Sequence, residues 1–108
     1  MAQAWTHLGH YGGSSTSEQA LGGTVPSSHA WQTKVWVANR TGGALTFRVR
    51  HAYADAAAAN SHYRAYDASC PANDFIVLPS FIMSATDKLY IKQSADGLTF
   101  HAEILDMS

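Results

Sequence analysis

Apolar and polar residues alternate with a period of two in short runs along most of this chain, and that pattern is typical of β-strands that bury one face. The clearest run is VWVANRTGGALTFRVRH, residues 35–51. Val35 and Val37 lie on one face of its first strand, and Trp36 lies on the other. After the glycine-containing turn NRTGG, the alternation sets Leu45, Phe47 and Val49 against Thr46, Arg48 and Arg50.

Trp36 raises a question, because an indole on the face opposite the valines needs a cover of its own. If the two strands pair across the turn, burying their apolar rows together places Trp36 on the same face as Arg48 and Arg50. We therefore expect the loops at residues 52–60 or 79–84 to reach over Trp36, with both arginines turned toward a neighbouring subunit. The alternative cover is a partner molecule.

The rest of the chain predicts further short strands. Residues 54–60, ADAAAAN, predict a loop or a short helical turn. SHYRAYDA predicts a strand, and Pro79 in DFIVLPSFIM predicts an edge strand or a break. SATDKLYIKQS and LTFHAEIL alternate again around the turn ADG, where Gly97 suits a hairpin. The pattern predicts an all-β fold, an antiparallel β-sandwich or jelly-roll-like domain over residues 31–108.

Residues 1–30 differ in composition from the rest of the chain. Gly, Ser and Thr dominate from residue 9 onward, and Leu21 and Val25 are the large aliphatic residues among them. Such a segment buries little apolar area against the entropy of ordering it, so we expect an extended or irregular N-terminal arm. The arm is either a flexible terminus or a segment that orders on a neighbouring subunit. The second reading is favoured by the apolar residues near its start, which are Trp5, Leu8 and Tyr11.

Charged residues make up 14% of the chain, against about 25% in a typical soluble domain, and the formal net charge is −1. Few charges cover the surface, so part of it is expected to be buried against partners. Arg48 and Arg50 are the only local basic cluster, and no nucleic-acid partner is expected.

No stretch is apolar enough to span a membrane, no signal-peptide pattern is present, and no membrane partner is expected. Cys70 is the single cysteine, which precludes an internal disulfide and indicates a reducing compartment.

The sequence contains no recognisable motif for catalysis or cofactor binding. Six histidines include His7 and His10 in HLGH, but this pair and one cysteine do not make up a zinc ligand set. There is no G-x-S-x-G elbow and no glycine-rich phosphate loop. Cys70, which precedes Pro71, is expected to be a small packed residue. We therefore expect a non-enzymatic protein with no catalytic, cofactor-binding or metal-ligating residues.

Five segments occur in an order that resembles a group of small virion structural proteins of tailed bacteriophages. They are VANRTGGALTFRV (37–49), SHYRAYDA (61–68), PANDFIVLP (71–79), SATDKLYIKQSA (84–95) and GLTFHAEIL (97–105). The resemblance implies a β-sandwich virion component. Its implied partners are the major capsid protein or another virion protein, and copies of itself. It also implies assembly in the host cytoplasm and a final location in the virion.

Aromatic residues beside basic ones are typical of interface centres. The candidate interface residues are Trp5, Leu8, Tyr11, Trp36, Arg48, Arg50, Tyr63, Tyr66 and Tyr90. Together with the resemblance they predict a capsid decoration (cement) protein that stabilises the assembled shell through contacts between subunits. A neck, tail or baseplate component is the alternative within that class. A carbohydrate-binding module for host attachment is the alternative from another class, with ANSHYRAYD as its candidate sugar-binding segment.

Overall fold

Nine β-strands and two single turns of 3-10 helix form residues 5–107, the part of the chain that the computed structural model describes. The strands are β1 Trp5–Tyr11, β2 Gln19–Ala20, β3 Ala30–Asn39, β4 Leu45–Ala52, β5 Tyr63–Cys70, β6 Phe75–Val77, β7 Phe81–Ser84, β8 Lys88–Gln93 and β9 Leu98–Asp106. The helical turns, Tyr53–Asp55 and Asn60–His62, flank the alanine-rich segment and match the loop predicted there.

The strands form two antiparallel sheets, so the predicted all-β antiparallel sandwich is confirmed. Sheet A has the order β1-β9-β3-β6, and β7 also pairs with β3, further along the side that β6 occupies. Sheet B has the order β2-β8-β4-β5. The edges of sheet A are therefore β1 and the β6–β7 pair, and those of sheet B are β2 and β5.

The apolar faces of the two sheets meet in one core. Val35 and Val37 of β3 are fully buried, and so is Val49 of β4. Phe47 and Phe100 come from opposite sheets and meet edge to face, with ring centroids 6.3 Å apart. The inward rows predicted for β8 and β9 are also buried, and they are Leu89, Ile91, Leu98, Phe100, Ala102 and Ile104. The period-two alternation therefore assigned the buried face of each of these strands correctly.

Two predicted hairpins are not formed, because each connection joins strands of different sheets. β3 lies in sheet A and β4 in sheet B, so their apolar rows face each other across the core instead of lying side by side. Asn39 shapes this connection: its Nδ2 donates to the carbonyls of Gly43 and Cys70, and its Oδ1 accepts from the Thr41 amide. β8 and β9 are divided in the same way. Gly97, at φ +144°, is therefore part of a crossing between sheets and not of a hairpin turn.

The described part of the N-terminal segment does not form a separate arm, contrary to the prediction for residues 1–30. β1 pairs with β9 and β2 pairs with β8, so the segment supplies an edge to each sheet. The segment is ordered for two reasons. Its backbone hydrogen bonds to the open sheet edges need no apolar side chain. In addition, Leu21 and Val25 are buried in the core. The sandwich thus includes the chain from Trp5 onward, not from residue 31, and residues 1–4 lie outside the described residues.

Pro79 marks a break at a sheet edge, as predicted. It separates β6 from β7, and both strands pair with β3. The Leu78 amide donates to the Val35 carbonyl at 3.0 Å, so the ladder continues up to the proline. The apolar run of this segment therefore forms one interrupted edge strand.

Candidate interface on the outer face of sheet A

The outer face of sheet A, the face turned away from the core, is organised in rows that the strand register sets. Side chains at paired positions of neighbouring strands lie side by side. The central row runs across the sheet as His10, His101, Trp36 and Val77. On one side of it lie the rows His7, Glu103 and Lys34, then Trp5, Leu105, Gln32 and Ile82. On the other side lies the row Thr99, Ala38 and Phe75.

Lys34 lies between the two tryptophans of this face. Its Nζ is 4.8 Å from the ring centroid of Trp5 and 5.6 Å from that of Trp36. Both are cation–π distances. The lysine therefore contributes a positive charge near the middle of the face, in contact range of both indoles.

Trp36 is half-buried and lines an open cavity of about 270 Å³ together with His7, His101 and Glu103. The prediction that a second layer of this chain covers Trp36 is wrong. Its predicted position on the face of the basic strand is also wrong, because β3 and β4 belong to different sheets. The indole is left available to a molecule outside the described chain.

The edge of sheet A formed by β6 and β7 is apolar and uncharged. From Phe75 to Ser84 the sequence FIVLPSFIMS contains no charged residue. Phe75, Val77 and Ile82 leave 63%, 40% and 48% of their surface exposed. Edge strands of soluble proteins are usually protected by charges, bulges, proline or shortness. Here only Pro79 and the short strands protect the edge, and the exposed side chains remain apolar.

The outer face of sheet B is charged, and its arginines are paired within the chain. Arg48 donates to both carboxylate oxygens of Asp67, at 2.7 and 3.2 Å. Arg50 binds Glu18 in the same two-pronged way, at 2.9 and 2.7 Å. The hydrogen bond from Arg48 lowers the pKa of Asp67, and the one to Glu18 raises the pKa of Arg50. Arg50 stays charged although its side chain is only 6% exposed.

Two tyrosines complete these contacts on sheet B. The guanidinium carbon of Arg48 lies 4.0 Å from the ring centroid of Tyr66, and that of Arg50 lies 4.3 Å from Tyr90. The Tyr90 hydroxyl donates to Asp55 at 2.7 Å, and this bond raises the pKa of Tyr90. Both arginines were predicted to face a neighbouring subunit. Both bind side chains of their own chain. Arg50 is buried, so its predicted orientation is wrong, whereas Arg48 is partly exposed and its contact with a neighbouring subunit stays a prediction.

The nine candidate interface residues lie in three separate places. Trp5 and Trp36 lie on the outer face of sheet A. Leu8 and Tyr11 are partly buried against the core. The remaining five belong to strands of sheet B, and they are Arg48, Arg50, Tyr63, Tyr66 and Tyr90. The structure thus does not unite the candidates in one surface.

A buried polar cluster near the Tyr53–Asp55 turn was not predicted. His51 is fully buried, with Nε2 2.7 Å from Asp87 Oδ2 and Nδ1 3.0 Å from Arg64 Nη2. Arginine only donates, so Nδ1 is the acceptor and Nε2 carries the proton. The second oxygen of Asp87 accepts from the Ala54 amide. In a Ser-His-Asp triad the carboxylate binds Nδ1 and Nε2 faces the nucleophile. Here Asp87 binds Nε2 and Arg64 binds Nδ1, so both nitrogens are occupied and the cluster anchors the loop after β4.

Sequence reasoning did not single out Phe75, Val77 or Ile82, which are the most exposed aliphatic and aromatic side chains of the β6–β7 edge. The available signal was a ten-residue run without charge that contains a proline. From that signal an edge strand was predicted, but not that the side chains of this edge would be both apolar and exposed. The proximity of His101 to His10 had no sequence signal, because the two residues are distant in the chain.

Within residues 5–107, no group of three or more histidine, cysteine, aspartate or glutamate side chains is placed to hold a metal ion. None of the helical turns in that part of the chain has the length and hydropathy of a membrane span.

No protein-family model matches the sequence, and no curated protein is found to be similar to it.

Proposed function

We propose that the protein is a non-enzymatic structural component of a tailed-phage particle, a capsid decoration protein that attaches through the outer face of sheet A. The observation that carries the proposal is the exposed, uncharged β6–β7 edge and its continuation into Trp36. The resemblance of five segments to small virion proteins of tailed phages supports a phage particle as the assembly that contains this protein. A neck, tail or baseplate component would use the same face and would differ in its partner.

Attachment through this face buries apolar area that the folded chain leaves in water. Such burial is worth about 25 cal/mol per Å² before the costs of association. A single small contact binds weakly, but a shell offers many equivalent seams, and contacts between neighbouring copies add avidity. The proposed partners are the major capsid protein or another virion protein, and copies of this chain. The action is mechanical, because a protein bound across a seam holds two coat subunits together.

The experiment compares two equally simple variants in co-sedimentation with capsids of the encoding phage that lack the protein. Phe75→Ser removes an exposed ring from the β6–β7 edge, and Tyr66→Ser removes an exposed ring from sheet B. We expect Phe75→Ser to bind at least about tenfold more weakly, equivalent to about 1.4 kcal/mol. Tyr66→Ser should bind like the parent, and both should retain the far-UV circular dichroism of a β protein.

Three outcomes of this comparison contradict the proposal. If the parent protein does not sediment with the capsids, the proposed role in the virion is contradicted. Equal binding by Phe75→Ser would remove the β6–β7 edge from the interface. Loss of binding by Tyr66→Ser alone would move the interface to sheet B.

A carbohydrate-binding module is the second candidate, and one observation favours it. Tyr63 and Tyr66 meet edge to face at 4.8 Å and line an open cavity of about 480 Å³ with Asn60. Aromatic rings with a few polar groups are typical of small-ligand sites, and these residues lie in the segment ANSHYRAYD. A glycan array tests it: binding that Tyr66→Ala abolishes and Phe75→Ser leaves intact would support sugar recognition, and no bound glycan would dismiss it.

A further inference from the structure

Three of the six histidines gather on the outer face of sheet A, beside Trp36. His7 and His10 come from β1, and His101 lies opposite His10 on β9. The Nε2 atom of His7 is 3.1 Å from Nδ1 of His10. The rings of His10 and His101 are stacked with their centroids 6.0 Å apart, and His101 is paired in register with Trp36.

The contact between His7 and His10 depends on protonation. A nitrogen–nitrogen hydrogen bond needs one N–H donor and one lone pair, so at least one of the two rings must be neutral. When both rings carry two protons, the same atoms repel each other. Histidine is the residue type that ordinarily changes charge between pH 5 and 8. Double protonation therefore breaks this arrangement.

The charged groups that face the cluster from the neighbouring strands cannot balance three protonated rings. Glu103 on β9 is paired in register with His7, and Lys34 on β3 is paired with Glu103. Farther along the sheet, Arg40 binds Thr99 and lies 3.6 Å from Asp96. The charge of Lys34 cancels that of Glu103, so protonation of all three histidines leaves three uncompensated positive charges next to Trp36.

We propose that this histidine cluster, defined as His7, His10 and His101, makes attachment through the outer face of sheet A pH-dependent. Neutral rings allow the face to be buried against a partner, and protonated rings release it. The reason is that burying an unpaired charge costs far more free energy than burying a neutral ring. The inference rests on the proposed function, because it describes the regulation of the same surface.

The experiment measures the affinity of the full-length protein for capsids at about pH 7.5 and about pH 5.5. The parent is compared with the triple variant His7→Gln, His10→Gln, His101→Gln, which keeps polar side chains but cannot be charged. We expect the parent to bind at least tenfold more weakly at the lower pH and the triple variant to change less than threefold. Comparing the two proteins at each pH removes any titration of the capsid itself. His101→Gln alone should show an intermediate response, so the inference stays testable if the triple variant binds poorly.

The outcomes separate this inference from the function on which it rests. Equal parent affinity at the two pH values, or an equal loss by the triple variant, overturns the pH dependence and leaves the attachment role intact. Loss of the near-ultraviolet circular dichroism of the parent at the lower pH also overturns it, because release would then follow unfolding. No binding by the parent at either pH contradicts the proposed function itself.

Discussion

His51 is a fully buried titratable side chain whose two ring nitrogens are both satisfied in the neutral form. Nε2 donates to Asp87, and Nδ1 accepts from Arg64. The ring also stacks on Tyr53, with centroids 4.1 Å apart. Protonation of Nδ1 would remove the acceptor of Arg64 and place two positive charges in contact. The cluster therefore holds His51 in one tautomer and one charge state.

The pKa values of this pair set the direction of the pH dependence of stability. Burial lowers the pKa of His51, and the charges of Arg64 and His62 lower it further, against the opposing effect of Asp87. Burial acts to raise the pKa of Asp87, but hydrogen bonds from the Ala54 amide, His51 and the Ser84 amide outweigh it and the pKa is lowered. In both cases the unfolded chain binds the proton more readily than the folded chain.

We expect the free energy of unfolding to decrease as the pH falls below about 6.5, the value for an unfolded histidine. Between that value and the lowered pKa of folded His51, only the unfolded chain is protonated. A second decrease follows below about 3.9, as Asp87 is protonated first in the unfolded chain. Urea unfolding between pH 7.5 and pH 5 measures the first step. His51→Gln should reduce the slope, and the control Phe75→Ser, which removes an exposed side chain without a titratable group, should keep it. An unchanged slope in His51→Gln would show that the cluster does not govern the pH dependence.

At the scale of secondary structure elements, the connection between β1 and β2 is held on sheet B by two specific side chains. The amide nitrogen of Gln93 donates to the carbonyls of Gly13 and Ser15, at 2.9 Å each. Glu18 receives two hydrogen bonds from Arg50. These contacts explain why the connection itself, residues 12–18, is ordered although it is rich in Gly and Ser: polar groups of the sheet hold it in place, and the apolar side chains Leu21 and Val25 enter the core farther along the chain.

The two arginine–carboxylate pairs of sheet B give a matched comparison. Glu18→Gln leaves Arg50, which is buried, without a counter-charge, and we expect a loss of about 1–3 kcal/mol in the free energy of unfolding. Asp67→Asn breaks an exposed, solvent-screened pair and should cost less free energy of unfolding than Glu18→Gln. Asn also tolerates the positive φ of Asp67, 52°, so the backbone is not strained further. Chemical denaturation of both variants measures the difference. Equal losses would show that burial of Arg50 does not matter.

At the scale of the whole molecule, the described N-terminal residues complete both sheets. β1 covers one edge of β9, β2 covers one edge of β8, and Leu21 fills the core between the sheets. The sandwich therefore depends on pairing between the two ends of the chain. Long-range pairing of this kind carries the entropy cost of loop closure, which slows folding.

Deleting residues 1–24 should abolish cooperative thermal unfolding, because it removes two edge strands and a buried leucine. A cavity-forming loss of one buried leucine alone costs about 2–5 kcal/mol, a large part of the stability of a small domain. Differential scanning calorimetry measures the transition, and a deletion of residues 1–4 provides the control. A cooperative transition in the longer deletion, at the midpoint of the parent, would mean that the segment is an independent arm after all.

The candidate site was less predictable than the fold. Trp36 was selected from its residue type and strand position and Trp5 as an aromatic residue of the predicted arm, and both lie on the outer face of sheet A. Arg48 and Arg50 were selected for the same reasons, yet Asp67 and Glu18 bind them within the chain. An arginine that binds another molecule and an arginine that pairs within its own chain occupy the same outward positions in the sequence of a strand. Only the positions of Asp67 and Glu18 in space distinguish the two.

The sequence by itself determined the strands after residue 30 and the buried face of most of them, because period-two alternation is a local property of an extended backbone. It also determined the break at Pro79, because a proline cannot donate to the ladder. Which strands pair was decided by the tertiary structure. Alternation shows that one face of a strand is buried but not which strand covers it. The sequence around Val35 and Phe47 would alternate in the same way if their strands were paired in a hairpin or, as observed, faced each other across the sandwich. The N-terminal segment was ordered for a similar reason: its hydrogen-bonding partners, the open edges of β8 and β9, lie far away in the chain and exist only once the sheets have formed.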